Sequence, residues 1–137
     1  MKKIVSIILL SSFLNVGCSS VKHNSEEVYI QLSKERCFGK CPVYDLFIYK
    51  DGTVAYNGID NVAKKGQQNF KISEDELREI ESLFLSLDFK SLKSKHKKRV
   101  RDLPKAKIKY GSNEVSFLVG YIPEEVKKII ATLESLI

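Results

Sequence analysis

Residues Val43 to Gly58 read VYDLFIYKDGTVAYNG. Two β-prone runs, Val43 to Tyr49 and Thr53 to Asn57, flank Lys50-Asp51-Gly52. Asp-Gly between such runs marks a hairpin, because both central residues of a type I′ turn need φ > 0. A hairpin commits this part of the chain to antiparallel pairing. Upstream, Val28 to Leu32 (VYIQL) alternates and predicts another strand. Downstream, Asn57-Gly58 suggests that the third strand ends in a turn, with Ile59 to Gln68 as an irregular connection.

The pattern then changes period. Ile72-Ser73-Glu74-Asp75-Glu76-Leu77 carries a capping box, with Ser73 as N-cap and Glu76 three residues on, and Ile72 and Leu77 are spaced as a hydrophobic staple. The three acids suit the positive end of a helix dipole. Leu77, Ile80, Phe84 and Leu87 follow at steps of three and four, which predicts a helix over 74–87. From Lys105 to Tyr110, lysines alternate with Ala106, Ile108 and Tyr110, as in a half-buried strand with a lysine-coated outer face. Gly111-Ser112-Asn113 is a turn, and Val115, Phe117 and Val119 face inward on the returning strand. Pro123 opens a last helix where its missing N–H costs nothing. That helix carries an apolar stripe of Val126, Ile129, Ile130, Leu133 and Leu136 or Ile137. The expected order is β-β-β-α-β-β-α. Two amphipathic helices need a sheet face to cover, so the expected fold is a two-layer α+β domain with an antiparallel sheet of about five strands.

The chain opens with MKKIVSIILLSSFLNVGC, two lysines, a short apolar run, and Gly17 before Cys18. This is a secretory signal, too short in its apolar run to span a bilayer of about 30 Å. Gly17-Cys18 resembles a bacterial lipobox, although Asn15 stands where Leu is usual. The resemblance implies a signal peptide over residues 1–17, lipidation at Cys18, and a tether over 18–27 that leads into one domain over 28–137. Several acyl chains, such as palmitate, make such an anchor stable, because each buried methylene contributes about 0.8 kcal/mol. Ser19 and Ser20 follow the cysteine with no Asp, which by the same resemblance places the anchor in the outer membrane, facing the periplasm.

The whole chain has 23 basic and 17 acidic residues, a net +6, of which Lys2 and Lys3 belong to the leader, leaving +4. A mild positive balance in the envelope permits anionic lipid or glycan contacts and gives no reason to expect nucleic acid.

With Cys18 assigned to lipid, two cysteines remain, in Cys37-Phe38-Gly39-Lys40-Cys41-Pro42-Val43-Tyr44. An even pair in an oxidising compartment favours a disulfide closing a tight loop. Gly39 would let that loop take a conformation barred to other residues. Two rival readings use the same sulfurs. The C-x-x-x-C-P spacing resembles copper chaperones of thioredoxin type, and thiolates select Cu(I). There, however, the motif opens a helix, whereas here a strand follows Pro42. A thiol-redox pair would ordinarily have two intervening residues and a helix N-terminus to lower a thiol pKa.

The longer run CFGKCPVYDLFIYKDGTVAYNG is similar to a family of small bacterial domains known only as a domain of unknown function, often found as envelope lipoproteins. Its pattern is matched by Cys37, Gly39, Cys41, Pro42, Tyr44, Asp51, Gly52, Tyr56 and Gly58. The resemblance extends through the Ser73 helix and Asp102-x-Pro104 to the last helix. It implies one intact domain and no particular reaction.

The remaining candidates are weaker. His23 and His96 stand apart from any ligand spacing, so no metal site and no cofactor is expected. Asp102 fits a turn or a salt bridge, and Tyr44, Tyr49 and Tyr56 fit cross-strand aromatic packing. Lys93, Lys95, Lys97, Lys98, Arg99, Arg101, Lys105, Lys107 and Lys109 form a basic set that would dock on an anionic surface. No acid, base and nucleophile set emerges from the spacing. The expectation is therefore a non-enzymatic envelope lipoprotein acting as a binding or structural module, with an envelope protein as a possible partner. The alternative is a thiol-redox or copper-binding protein that uses Cys37 and Cys41.

Overall fold

A computed structural model describes residues 27–93 and 103–137. Eight main elements follow in order: β1 (Ile30–Lys34), β2 (Val43–Ile48), β3 (Thr53–Asp60), β4 (Gly66–Lys71), α1 (Glu74–Ser86), β5 (Lys105–Tyr110), β6 (Asn113–Leu118) and α2 (Glu124–Glu134). Short 3-10 turns at Phe89–Ser91 and Val119–Tyr121 follow α1 and β6. The strands form one sheet in the order β4-β3-β2-β1-β5-β6, antiparallel throughout. This is the α+β class expected, with six strands in the order β-β-β-β-α-β-β-α.

The sixth strand is β4, where an irregular connection was expected. Its sequence GQQNFK has no apolar alternation, so pattern alone does not reveal it. It lies at the edge of the sheet, and its pairing with β3 rather than deep burial defines it. Asn57-Gly58 is accordingly not a turn. β3 continues to Asp60, and Gly58 pairs with Gly66. The β2–β3 hairpin is real, but its turn is not type I′. Gly52 has φ 81°, while Asp51 stays on the ordinary side. The Gly52 N–H donates to the Tyr49 carbonyl, and the Tyr49 N–H donates to the Thr53 carbonyl. This is the three-residue loop with glycine in the left-handed position. β1 also begins two residues later than expected, and Val119 leaves the sheet and is partly exposed.

The core lies on one sheet face. Ile30, Leu32, Leu46, Ile48, Val54, Ala106, Ile108, Val115 and Phe117 meet Leu77, Ile80 and Phe84 of α1 and Val126, Ile129, Ile130 and Leu133 of α2. α1 starts as its sequence requires. The Ser73 hydroxyl accepts from the Glu76 N–H, and the Glu76 carboxylate accepts from the Ser73 N–H. Phe84 stacks on Tyr110 with ring centroids 4.6 Å apart, and Phe89 meets Phe84 edge-on at 5.1 Å. The other sheet face carries polar ranks. One runs through Ser116, Lys107, Ser33, Asp45, Asn57 and Gln67 on the six strands in turn.

The sheet has two dissimilar ends. The chain enters at one end, where the Tyr29 N–H donates to the Ile48 carbonyl and the Gly111 N–H donates to the Tyr29 carbonyl. The loop 37–41 and the β3–β4 turn occupy the other end, about 17 Å away by the rise of a five-residue strand.

Candidate functional site

Cys37 and Cys41 are joined by a disulfide with their Cα atoms 5.8 Å apart. The closed loop sits between β1 and β2, and β2 begins directly after Pro42. The cysteines therefore open a strand and do not stand at a helix N-terminus. Gly39 does not play the part expected of it. Its φ is not positive, and a Cβ there would meet only the Cys37 sulfur at an ordinary 3.8 Å. Phe38 stands at the loop tip, 90% exposed, although an aromatic side chain is ordinarily covered.

Beside the loop lies a groove of about 250 Å³. Pro42, Tyr44 and Tyr56 form its base, residues 61–64 form one wall, and Glu134 and Ile137 form the other. Tyr44 and Tyr56 are diagonal neighbours across β2 and β3, with ring centroids 5.9 Å apart. The hydrogen bonds around the groove tie it to distant parts of the chain. Tyr44 Oη donates to Glu134 Oε1 at 2.5 Å, and Lys34 Nζ donates to the same oxygen at 2.5 Å. Lys34 also lies 5.8 Å from the Tyr44 ring centroid. Asn61 Nδ2 donates to the Cys41 carbonyl, so the wall is fastened to the disulfide loop. Tyr56 Oη donates to the Lys64 carbonyl, which draws the same wall over the sheet.

Gly58 makes that fold-back possible. A Cβ at this position would lie 2.0 Å from the Lys64 carbonyl oxygen and 2.8 Å from Tyr56 Oη. No side chain fits such a gap without displacing backbone. Asn61 holds the turn with φ 51°, a left-handed conformation that asparagine tolerates better than most residues.

Electrostatics favour the neutral phenols. Burial, followed by the bond to Glu134 and the carboxylate's charge, pushes the Tyr44 pKa well above the usual phenol value of 10.0. Burial raises Tyr56 as well. Asp60, beside the groove wall, is held below the usual carboxylate value. Desolvation opposes this, but the Asn61 N–H, Lys65 and Arg36 outweigh it. Arg36 and Lys65 lie 2.9 and 3.5 Å from its oxygens.

Lys34, Asn61 and Glu134 were not singled out from the sequence, yet two of them leave a trace there. Lys34 follows Ile30 and Leu32 at the inward-facing register of β1, where an apolar residue would be expected. Glu134 continues the series Val126 and Ile130 at helical spacing. A charge at the end of each apolar register marks two side chains that need one another.

Of the nine basic residues expected to meet an anionic surface, four are among the described residues. Lys105, Lys107 and Lys109 lie on β5 as expected, but Lys107 pairs with Glu114 at 3.6 Å and Lys109 with Glu27 at 3.7 Å. Lys93 is exposed after α1. Cys18, His23, Lys95, His96, Lys97, Lys98, Arg99, Arg101 and Asp102 lie outside the described residues. Among the described residues, no helix is long and apolar enough to cross a membrane.

A disulfide-closed loop and a clamped groove thus sit together at one end of an antiparallel α+β sheet. The chain belongs to the family described as Domain of unknown function (DUF6438), whose match covers residues 28–137. A search of curated proteins found no match.

Proposed function

We propose that this protein is a lipid-anchored domain of the bacterial cell envelope that works by binding, with the disulfide end of the sheet as its recognition end. The observation that carries the reading is the Asn61 bond to the Cys41 carbonyl. It makes the disulfide part of the groove's frame, so the pair has a structural task. A disulfide closing so short a loop contributes roughly 2 kcal/mol by chain entropy, a useful amount for a small domain.

The signal sequence and Gly17-Cys18 support anchoring at the outer membrane, facing the periplasm. The entry point at Tyr29 and the recognition end lie at opposite ends of β1. An anchored domain would thus present its groove away from its tether, toward an envelope protein or glycan. The lysine strand is the lesser candidate surface, because two of its three cations already face carboxylates. Metabolic labelling with a fatty acid, followed by membrane fractionation, tests the anchor. The wild-type chain should carry label and sediment with membranes, and Cys18→Ser should lose both. An unlabelled wild-type chain would refute the anchor. Thiol-redox or copper chemistry at Cys37 and Cys41 would replace the binding reading if native protein held the pair reduced.

A further inference from the structure

We infer that the groove between Tyr44, Tyr56 and Glu134 is a binding site for a primary ammonium on an apolar stem, of the kind a lysine side chain of a partner polypeptide presents. This deepens the binding function proposed above and rests on it.

Size decides first. The groove measures about 250 Å³, just under the roughly 300–1,000 Å³ of small-molecule sites. It takes one side chain rather than a whole cofactor. The lining then sets the chemistry. Pro42 and the two tyrosine rings offer an apolar base, and aromatic faces attract cations. Glu134 supplies the charge. It is the last residue of α2, where the helix dipole is negative, and α2 has no basic residue in its last turn. Among the described residues, Glu134 accepts two bonds, both on Oε1, and neither uses Oε2. The protein already shows the recognition it would give a ligand, because Lys34 places its own ammonium against this carboxylate and near the Tyr44 ring.

Lys64 on the groove wall opposes a cation, but it is exposed and its charge is screened by solvent. The Glu134 side chain is only 36% exposed, so its charge is screened less than that of Lys64, and Lys34 is the cation with which a ligand would compete for it. The frame is fixed before any ligand arrives. The disulfide, the Asn61 bond, the Tyr56 bond and the tight approach at Gly58 all hold the walls in place. A preformed groove avoids part of the ordering cost of binding.

The test uses oxidised chain over residues 18–137 carrying Cys18→Ser, followed by NMR. Three probes are titrated: Nα-acetyl-lysine methylamide, its neutral norleucine analogue and the acidic glutamate analogue. The lysine probe should shift Tyr44, Tyr56, Val62 and Ile137 saturably, at least about tenfold more tightly than the other two. Glu134→Gln should erase that preference. Lys34→Met removes the internal competitor and should tighten the lysine probe by something on the order of tenfold. The inference is overturned if the lysine probe gives no saturable shift at the groove, or if the norleucine probe binds as well. Should Glu134→Gln lose its folded spectrum, Lys34→Met decides alone, and failure to tighten overturns the site. Fatty-acid labelling is unaffected by any of these outcomes, so failure of the groove and failure of the anchor are told apart.

Discussion

At the end of the sheet where the chain enters, β2 passes to β3 and β5 to β6 through short turns at Lys50-Asp51-Gly52 and Gly111-Ser112, each with a glycine at positive φ. At the other end, the joints are long-range. Glu134 holds Lys34 and Tyr44 across 100 and 90 residues of sequence, and Asn61 reaches back to Cys41. The entry end thus combines two tight turns of adjacent residues with backbone bonds such as that from the Gly111 N–H to the Tyr29 carbonyl. The groove end brings together residues far apart in sequence, so it forms only with the whole domain. The disulfide lies at the groove end, where the loop it closes meets Asn61 of the β3–β4 turn.

The largest effect is expected at the entry end. Phe84 is buried against Phe89 and Tyr110 there, so Phe84→Ala should cost about 3–5 kcal/mol in a denaturant titration. It should lower the stability of both ends together, because the core is one cluster. A selective loss at one end would contradict that unity.

Gly58→Ala comes next. Its Cβ would meet the Lys64 carbonyl at 2.0 Å, so about 3 kcal/mol is expected, the upper part of the range for overpacking. Amide shifts should concentrate at residues 56–66 and leave Lys50 to Thr53 in place. An equal response at both ends would mean that the groove wall is not clamped there.

Removing the disulfide by Cys37→Ser with Cys41→Ser should cost roughly 2 kcal/mol. Hydrogen exchange should quicken at Asn61 and around the groove while Gly52 and Gly111 keep their protection. Unchanged exchange at Asn61 would separate the loop from the groove.

The smallest effect tests a purely local joint. Ser73→Ala removes a helix cap worth about 1 kcal/mol, measurable as a shift in denaturation midpoint that leaves both sheet ends unaltered. Bonds from the Ser73 N–H and hydroxyl hold the Glu76 carboxylate below its ordinary value of 4.5. A depressed folded pKa adds stability that is present above pH 4.5 and is lost as pH falls through the folded value. That portion of the acid dependence should shrink in Ser73→Ala.

What could be read from the sequence follows the same division. The hairpins, the capping box at Ser73 and the inward faces of β5 and α2 depend on residues a few places apart, and each is found where expected. The disulfide pairing was legible because only two cysteines remained once Cys18 was assigned to lipid. β4 was not legible, since an edge strand needs partners for its backbone more than apolar side chains. The groove was hidden for a related reason. Tyr44 read as one rung of aromatic packing, but its hydroxyl is positioned by a glutamate from the last helix. Gly58 read as a turn residue, whereas its role is to let Lys64 approach. Lys34 and Glu134 were visible only as charges misplaced in apolar registers.

Cys37 and Cys41 form a disulfide that closes the loop beside the groove. The most direct measurement counts free thiols in the chain over residues 18–137 carrying Cys18→Ser, purified from the periplasm, before and after mild reductant and with Cu(I) added. A structural staple should show no free thiol, persist in mild reductant and take up no copper. Two free or easily freed thiols that take up one copper ion would contradict it and make the cysteines themselves the working site.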